Sequence, residues 1–110
     1  MEIQVEQYGH AAVLRCKGEI TEDSAQVLTR DVEAQLAAKV TDIVLDLTDV
    51  PFADSVGLET LLDLRDKLVA QSGQLTLAGP RDSLAKILEI TRLETAFDTV
   101  SDCLEAVKGV

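Results

Sequence analysis

The apolar positions change period repeatedly along the chain, and each change marks an element. In residues 2–8, Ile3 and Val5 alternate with Glu2, Gln4 and Glu6, which predicts a strand with one wet face. Gly9-His10 predicts a turn. Ala12, Leu14 and Cys16 then alternate with Val13, Arg15 and Lys17, a second strand that the short connection makes antiparallel to the first. The run from Ile43 to Leu47 is nearly continuous in aliphatic residues, so it predicts a strand covered on both faces, stopped by Pro51. Helical spacing appears at Ala25, Leu28, Val32 and Leu36, reaching about Ala38, with Thr21, Asp23 and Ser24 as candidate N-caps. It returns at Leu58, Leu61, Leu62, Leu68 and Val69, interrupted by Arg65, predicting a helix from Ser55 to about Ala70 that Gly73 ends in the left-handed conformation. Leu75 and Leu77 predict another strand, and Leu84, Ile87 and Leu88 a short helix after Gly79-Pro80. Leu93, Phe97 and Val100 return the chain to the core as a short edge segment, and Asp102 with Glu105 would cap a last helix carrying Leu104 and Val107.

Strand, helix and parallel strand thus recur as crossover units, which gives an α/β fold: a mixed four- to five-stranded sheet with about four helices. Without repeat or linker, residues 1–110 read as one domain. With one Tyr, two Phe and no Trp, aliphatic side chains must fill the core. Acidic residues outnumber basic ones 20 to 10, a formal charge of -10, which repels phosphate backbones and anionic lipid; no nucleic-acid partner is expected. No stretch has the length of a transmembrane helix and no leader pattern opens the chain, so a cytoplasmic protein with no direct membrane insertion is expected. Cys16 and Cys103 lack metal or redox spacing and are expected to be reduced and packed. His10, the only histidine, reads as a solvated turn residue.

The chemistry gathers after the central strand. Asp46, Asp49, Asp54 and Ser55 lie at or beyond its carboxyl end, where effector sites of such folds collect. Ser55 falls at a helix start beside Asp54, a candidate cap, and Gly57 permits close approach of other backbone. A serine hydrolase would need a nearby histidine base and glycines flanking the serine; both are missing. The Gly-rich, Lys-containing loop of a nucleotide hydrolase is also missing, and the acids read as solvated loop residues and a cap before they read as a Mg²⁺ site. No catalytic residue, metal or cofactor is therefore expected. A phosphate acceptor needs only exposure and a kinase, and Ser55 meets the first condition.

The segment Phe52-Ala-Asp-Ser-Val-Gly-Leu58 resembles the Asp-Ser-Ser-Gly-Leu signature of STAS domains, the family of bacterial anti-sigma factor antagonists. Lys17-Gly-Glu-Ile20 is similar to the family's Gly-Glu-Leu-Asp turn, Ile43 to Leu47 to the strand before the signature, and Pro80, Leu93 and Phe97 to its C-terminal core positions. The resemblance implies a non-enzymatic partner-switching protein. Unphosphorylated, it binds an anti-sigma factor that is also a serine protein kinase; the kinase phosphorylates Ser55, and a phosphatase acting on phospho-Ser55 resets it. Partner-binding residues carried over are Glu19, Phe52, Asp54, Ser55, Val56, Gly57, Leu58 and Glu59, while Phe52 and Val50 read equally well as core packing under the loop. Val56 replaces the signature's second serine, and Glu59 stands where many members have Gly. The family also implies an alternative, a STAS subunit clamping the ATPase of a lipid-transport complex. Stressosome scaffolds carry an extra sensory domain, and a receiver domain would need an acidic pair after the first strand, where Gly9-His10 stands.

Overall fold

A computed structural model of the chain describes residues 1–102. In order these form strands Glu2–Tyr8 (β1) and Ala11–Lys17 (β2), helix Glu22–Ala37 (α1), strand Asp42–Asp49 (β3), helix Ser55–Ala70 (α2), strand Gln74–Ala78 (β4), helix Asp82–Ile90 (α3) and strand Asp98–Val100 (β5). A 3₁₀ turn, Leu93–Thr95, precedes β5. The strands lie side by side in chain order; β1 and β2 are antiparallel and the other pairs parallel. This is the expected mixed sheet, with three α-helices among the described residues. The expected last helix, and Cys103 with it, lie outside the described residues.

Position in the sheet explains the patterns. Ala11 to Leu14 of β2 are all fully buried, as are Ile43 to Leu45 of β3 to within a few per cent, because both strands are flanked by neighbours and covered on both faces. One face carries Leu14, Cys16, Leu45, Leu47 and Leu77 and packs with Leu28 and Val32 of α1 and Leu61, Leu64 and Leu68 of α2; Val13, Val44 and Ala78 cluster separately with Val100. Each such buried leucine contributes about 1.5–3 kcal/mol of transfer free energy. β1 is an edge, and its alternation is correspondingly weaker: Ile3 is half-buried and Val5 is 42% exposed.

Three local expectations are corrected. The buried stripe of α2 is Leu61, Leu64 and Leu68, while Val69 is 59% exposed in the last turn. Arg65, which interrupts the stripe, reaches instead to the Ala96 carbonyl (Nη1 to O, 2.8 Å) and stacks its guanidinium 5.9 Å from the Phe97 ring centroid, tying the 3₁₀ turn to the helix. After α2 it is Ser72, not Gly73, that takes positive φ (63°). Gly73 is needed for space: a Cβ there would sit 2.1 Å from the Thr41 carbonyl oxygen.

Cys16 is buried and unpaired, with its Sγ 3.6 Å from the Leu14 carbonyl oxygen. Burial first, then the negative charges of Asp46 and Asp31, push its thiol from 9.0 up to about 12. Below pH 9 the thiol is neutral in both folded and unfolded chains. As pH rises from 9 toward 12 only the unfolded chain ionises there, so this residue's contribution to stability declines. The urea midpoint should therefore fall more steeply across pH 9–11 for the wild type than for Cys16→Ala, measured by circular dichroism; parallel curves would show that the thiol does not carry the effect.

Candidate functional site

Two chain segments leave neighbouring parallel strands and are stitched together before either becomes a helix. Beyond the register shift at the end of β2, the Gly18 N–H donates to the Asp49 carbonyl (3.2 Å) and the Ile20 N–H to that of Phe52 (3.0 Å). The Asp54 N–H returns a bond to the Ile20 carbonyl (3.1 Å), and Ile20 and Ala53 form an isolated parallel bridge. Ile20, Val50 and Ala53 are buried under this seam. Val50 is therefore core, whereas Phe52 points outward and is 40% exposed.

Both helices start from the seam. Asp54 is the N-cap of α2: its Oδ1 accepts from the Gly57 N–H at 2.7 Å, and its carbonyl accepts the Leu58 N–H at 2.9 Å. Its Oδ2 lies 3.4 Å from the Glu22 N–H in the first turn of α1. One carboxylate thus faces the positive ends of two helices, which suits an anion. Of the three candidate caps of α1, Thr21 occupies the position, and the Ser24 hydroxyl closes the turn by accepting from the Thr21 N–H (2.8 Å) and donating to the Glu19 carbonyl (2.7 Å). At Gly57 the helix comes so close to the seam that a Cβ would lie 2.0 Å from the Ile20 carbonyl oxygen.

Ser55 is the first residue of α2, exposed, and its hydroxyl has no hydrogen-bond partner among the described residues. Val56, 36% exposed, lies beside it, and Glu59 is exposed one turn on. Asp46 does not join this corner: its Oδ1 accepts from the Thr48 N–H (3.1 Å) and hydroxyl (2.7 Å) within β3. Asp49 instead lines a groove with Lys17, Thr48, Pro51, Arg81 and Asp82. Local sequence carries no signal for that groove, because Arg81 and Asp82 reach it from a distant element. Among the described residues no cluster of His, Cys, Asp or Glu could hold a metal ion, and no helix is long and apolar enough to cross a membrane.

A family model described as STAS domain matches residues 2–106. The chain belongs to the STAS domain family. A Thermotoga neapolitana protein named an anti-sigma factor antagonist TM1081 homolog is 31% identical over 70 residues, which span 61% of this chain and 62% of that relative, under two thirds of its length. The crystal structure described as an anti-sigma factor antagonist from Thermotoga maritima has a TM-score of 0.90 at 20% identity, over 98% of this chain and 93% of that one. The Bacillus cell fate determinant SpoIIAA, solved in its phosphorylated form, gives 0.75 at 20% identity over 97% of each chain. At these identities the two structures speak to fold alone.

Within the STAS fold the signature residues divide by task. Asp54, Gly57 and half-buried Leu58 are turned inward, as cap, spacer and core packing, and hold the corner together. Ser55, Val56, Glu59, Phe52 and Glu19 are exposed on it. Asp54→Ala should lower stability by about 1–2 kcal/mol, the usual cost of a lost N-cap. Gly57→Ala should cost about 3 kcal/mol, at the upper end of overpacking because its obstacle is backbone. In thermal unfolding the alanine at position 57 should give the larger fall, on the order of 10 °C or more. A Gly57→Ala midpoint equal to the wild type would show that the close approach is not a constraint.

Proposed function

We propose that this STAS protein is a phosphorylation-controlled anti-sigma factor antagonist, a non-enzymatic binding protein whose unphosphorylated form captures an anti-sigma factor that is also a serine protein kinase. The observation that carries this is Ser55: an exposed hydroxyl at the positive end of a helix, beside exposed Phe52 and Val56, on a corner held rigid by the seam. The names of the Thermotoga relatives and the phosphorylated state of the SpoIIAA structure support it.

The energetics favour a switch that acts on the partner more than on the fold. Phosphate adds about -1.5 to -2 charges, and at a helix N-terminus it is stabilised locally by about 0.3–1 kcal/mol. The fold therefore tolerates it. Burying the same unmatched dianion in an interface costs several kcal/mol, and each 1.4 kcal/mol is tenfold in affinity. Kinase and antagonist then separate until a phosphatase acting on phospho-Ser55 restores the hydroxyl. The contact face comprises Phe52, Ser55, Val56, Glu59 and Glu19, with Asp54, Gly57 and Leu58 shaping it from beneath.

Incubation of the purified protein with Mg-ATP and extract of its native cells should place phosphate on Ser55, mapped by peptide mass spectrometry and absent from Ser55→Ala. Ser55→Ala should hold the kinase constitutively, and Ser55→Glu should bind it at least tenfold more weakly, about 1.4 kcal/mol. Absence of phosphate, with the protein recovered in a membrane ATPase complex, would contradict the proposal and favour the transporter-subunit alternative.

A further inference from the structure

The exposed corner around Ser55 has an apolar centre ringed by acidic side chains, with Lys17 and Arg81 set to one side in the groove beside Asp49 and Pro51. Phe52 and Val56 are 40% and 36% exposed on either side of the serine. Glu19, Glu22, Asp23 and Glu59 are exposed around them, brought together because the seam aligns the starts of α1 and α2. The chain segments that build this corner, residues 18–29 and 40–64, contain no Lys or Arg. Asp54, capping α2 and reaching the start of α1, and Glu22 and Asp23, in the first turn of α1, are opposed locally by the positive helix ends; Glu19 and Glu59 are not. Glu19 and Glu59 project a negative potential that no Lys or Arg of these segments offsets.

We infer that the partner meets this corner with an apolar centre enclosed by an Arg/Lys rim, and that phosphate on Ser55 blocks binding by its bulk and hydration at the apolar centre and not by charge repulsion. The inference rests on the partner-switch proposal and deepens it. Charge complementarity argues for the basic rim: a neutral or acidic rim would leave the glutamates unmatched or opposed as they lose water. The second half follows from the first. A basic rim attracts a phosphate at long range, so the exclusion must arise where Phe52, Ser55 and Val56 make dry contact and a dianion cannot keep its water. Rim charges that stay partly solvated act chiefly on the association rate, and dry contacts on dissociation.

The test measures association and dissociation rates, by stopped-flow fluorescence, of each anti-sigma factor kinase encoded in the source genome with wild type, with the pair Glu19→Lys/Glu59→Lys, and with Ser55→Gln. Neither reversed residue lies in a first helical turn, and circular dichroism checks that the pair folds. The expected result is wild-type association slowing about tenfold or more between low salt and about 0.5 M salt. The reversed pair should associate about tenfold more slowly at low salt with dissociation little changed. Ser55→Gln, uncharged but bulky and hydrated, should dissociate faster, as Ser55→Glu does. Wild-type rates insensitive to salt, or a reversed pair that associates as fast as the wild type, would overturn the basic rim alone. Tight binding by Ser55→Gln with loss only in Ser55→Glu would overturn the exclusion mechanism. No binding of the wild type by any such kinase would overturn the partner-switch proposal and this inference together.

Discussion

The approach of Gly57 to the Ile20 carbonyl is the constraint on which the rest of the corner depends. A helix start can come that near another backbone only where no Cβ intervenes, and a Cβ here would lie 2.0 Å from that oxygen. The approach is held by the reciprocal bonds of Ile20 with Phe52 and Asp54, which continue parallel pairing past the formal ends of β2 and β3. The Ile20 carbonyl accepts the Asp54 N–H and the Ile20 N–H donates to Phe52, so both backbone groups of this buried residue are paired. From it α1 and α2 depart side by side, and the Leu28–Val32 and Leu61–Leu64–Leu68 stripes meet one face of the sheet together.

Under the proposed function, rigidity of this kind matters because another protein would read this surface. A serine on a mobile loop would be ordered on binding, and that ordering costs free energy at each encounter. Ser55 is instead fixed by the first turn of a helix whose cap and packing are complete without it. Its hydroxyl contributes nothing to holding the fold, so it is free to be modified. The division between inward Asp54, Gly57 and Leu58 and outward Ser55, Val56 and Glu59 follows from helix geometry: consecutive residues in a first turn cannot all face one way.

Much of this was legible in the sequence, for physical reasons. The run Ile43 to Leu47 announced a central strand because a strand buried on both faces admits few polar residues, and Asp54-Ser55 announced a helix start because few side chains can cap one. Gly57 signalled close approach, but which backbone it approaches depends on pairing between distant segments and left no local mark. The same holds for Asp54 reaching the Glu22 N–H and for Arg65 reaching the Ala96 carbonyl. The substitution of Leu64 for Val69 in the buried stripe has another cause: apolar side chains on both flanks of α2 make the stripe's direction ambiguous until the sheet fixes it. Ser72 in place of Gly73 at positive φ shows the limit of turn chemistry, since Gly73 was held for space beside Thr41.

The most direct measurement of the central constraint is amide hydrogen exchange resolved by NMR across residues 18–24 and 50–60. The N–H groups of Ile20, Asp54 and Gly57, bonded within the seam and cap, should exchange as slowly as those of the β3 core, while those of Ser55 and Val56 at the open helix end should exchange fast. Fast exchange at Ile20, Asp54 and Gly57 alike would contradict the account, because a seam that opens readily could not hold the serine in one place.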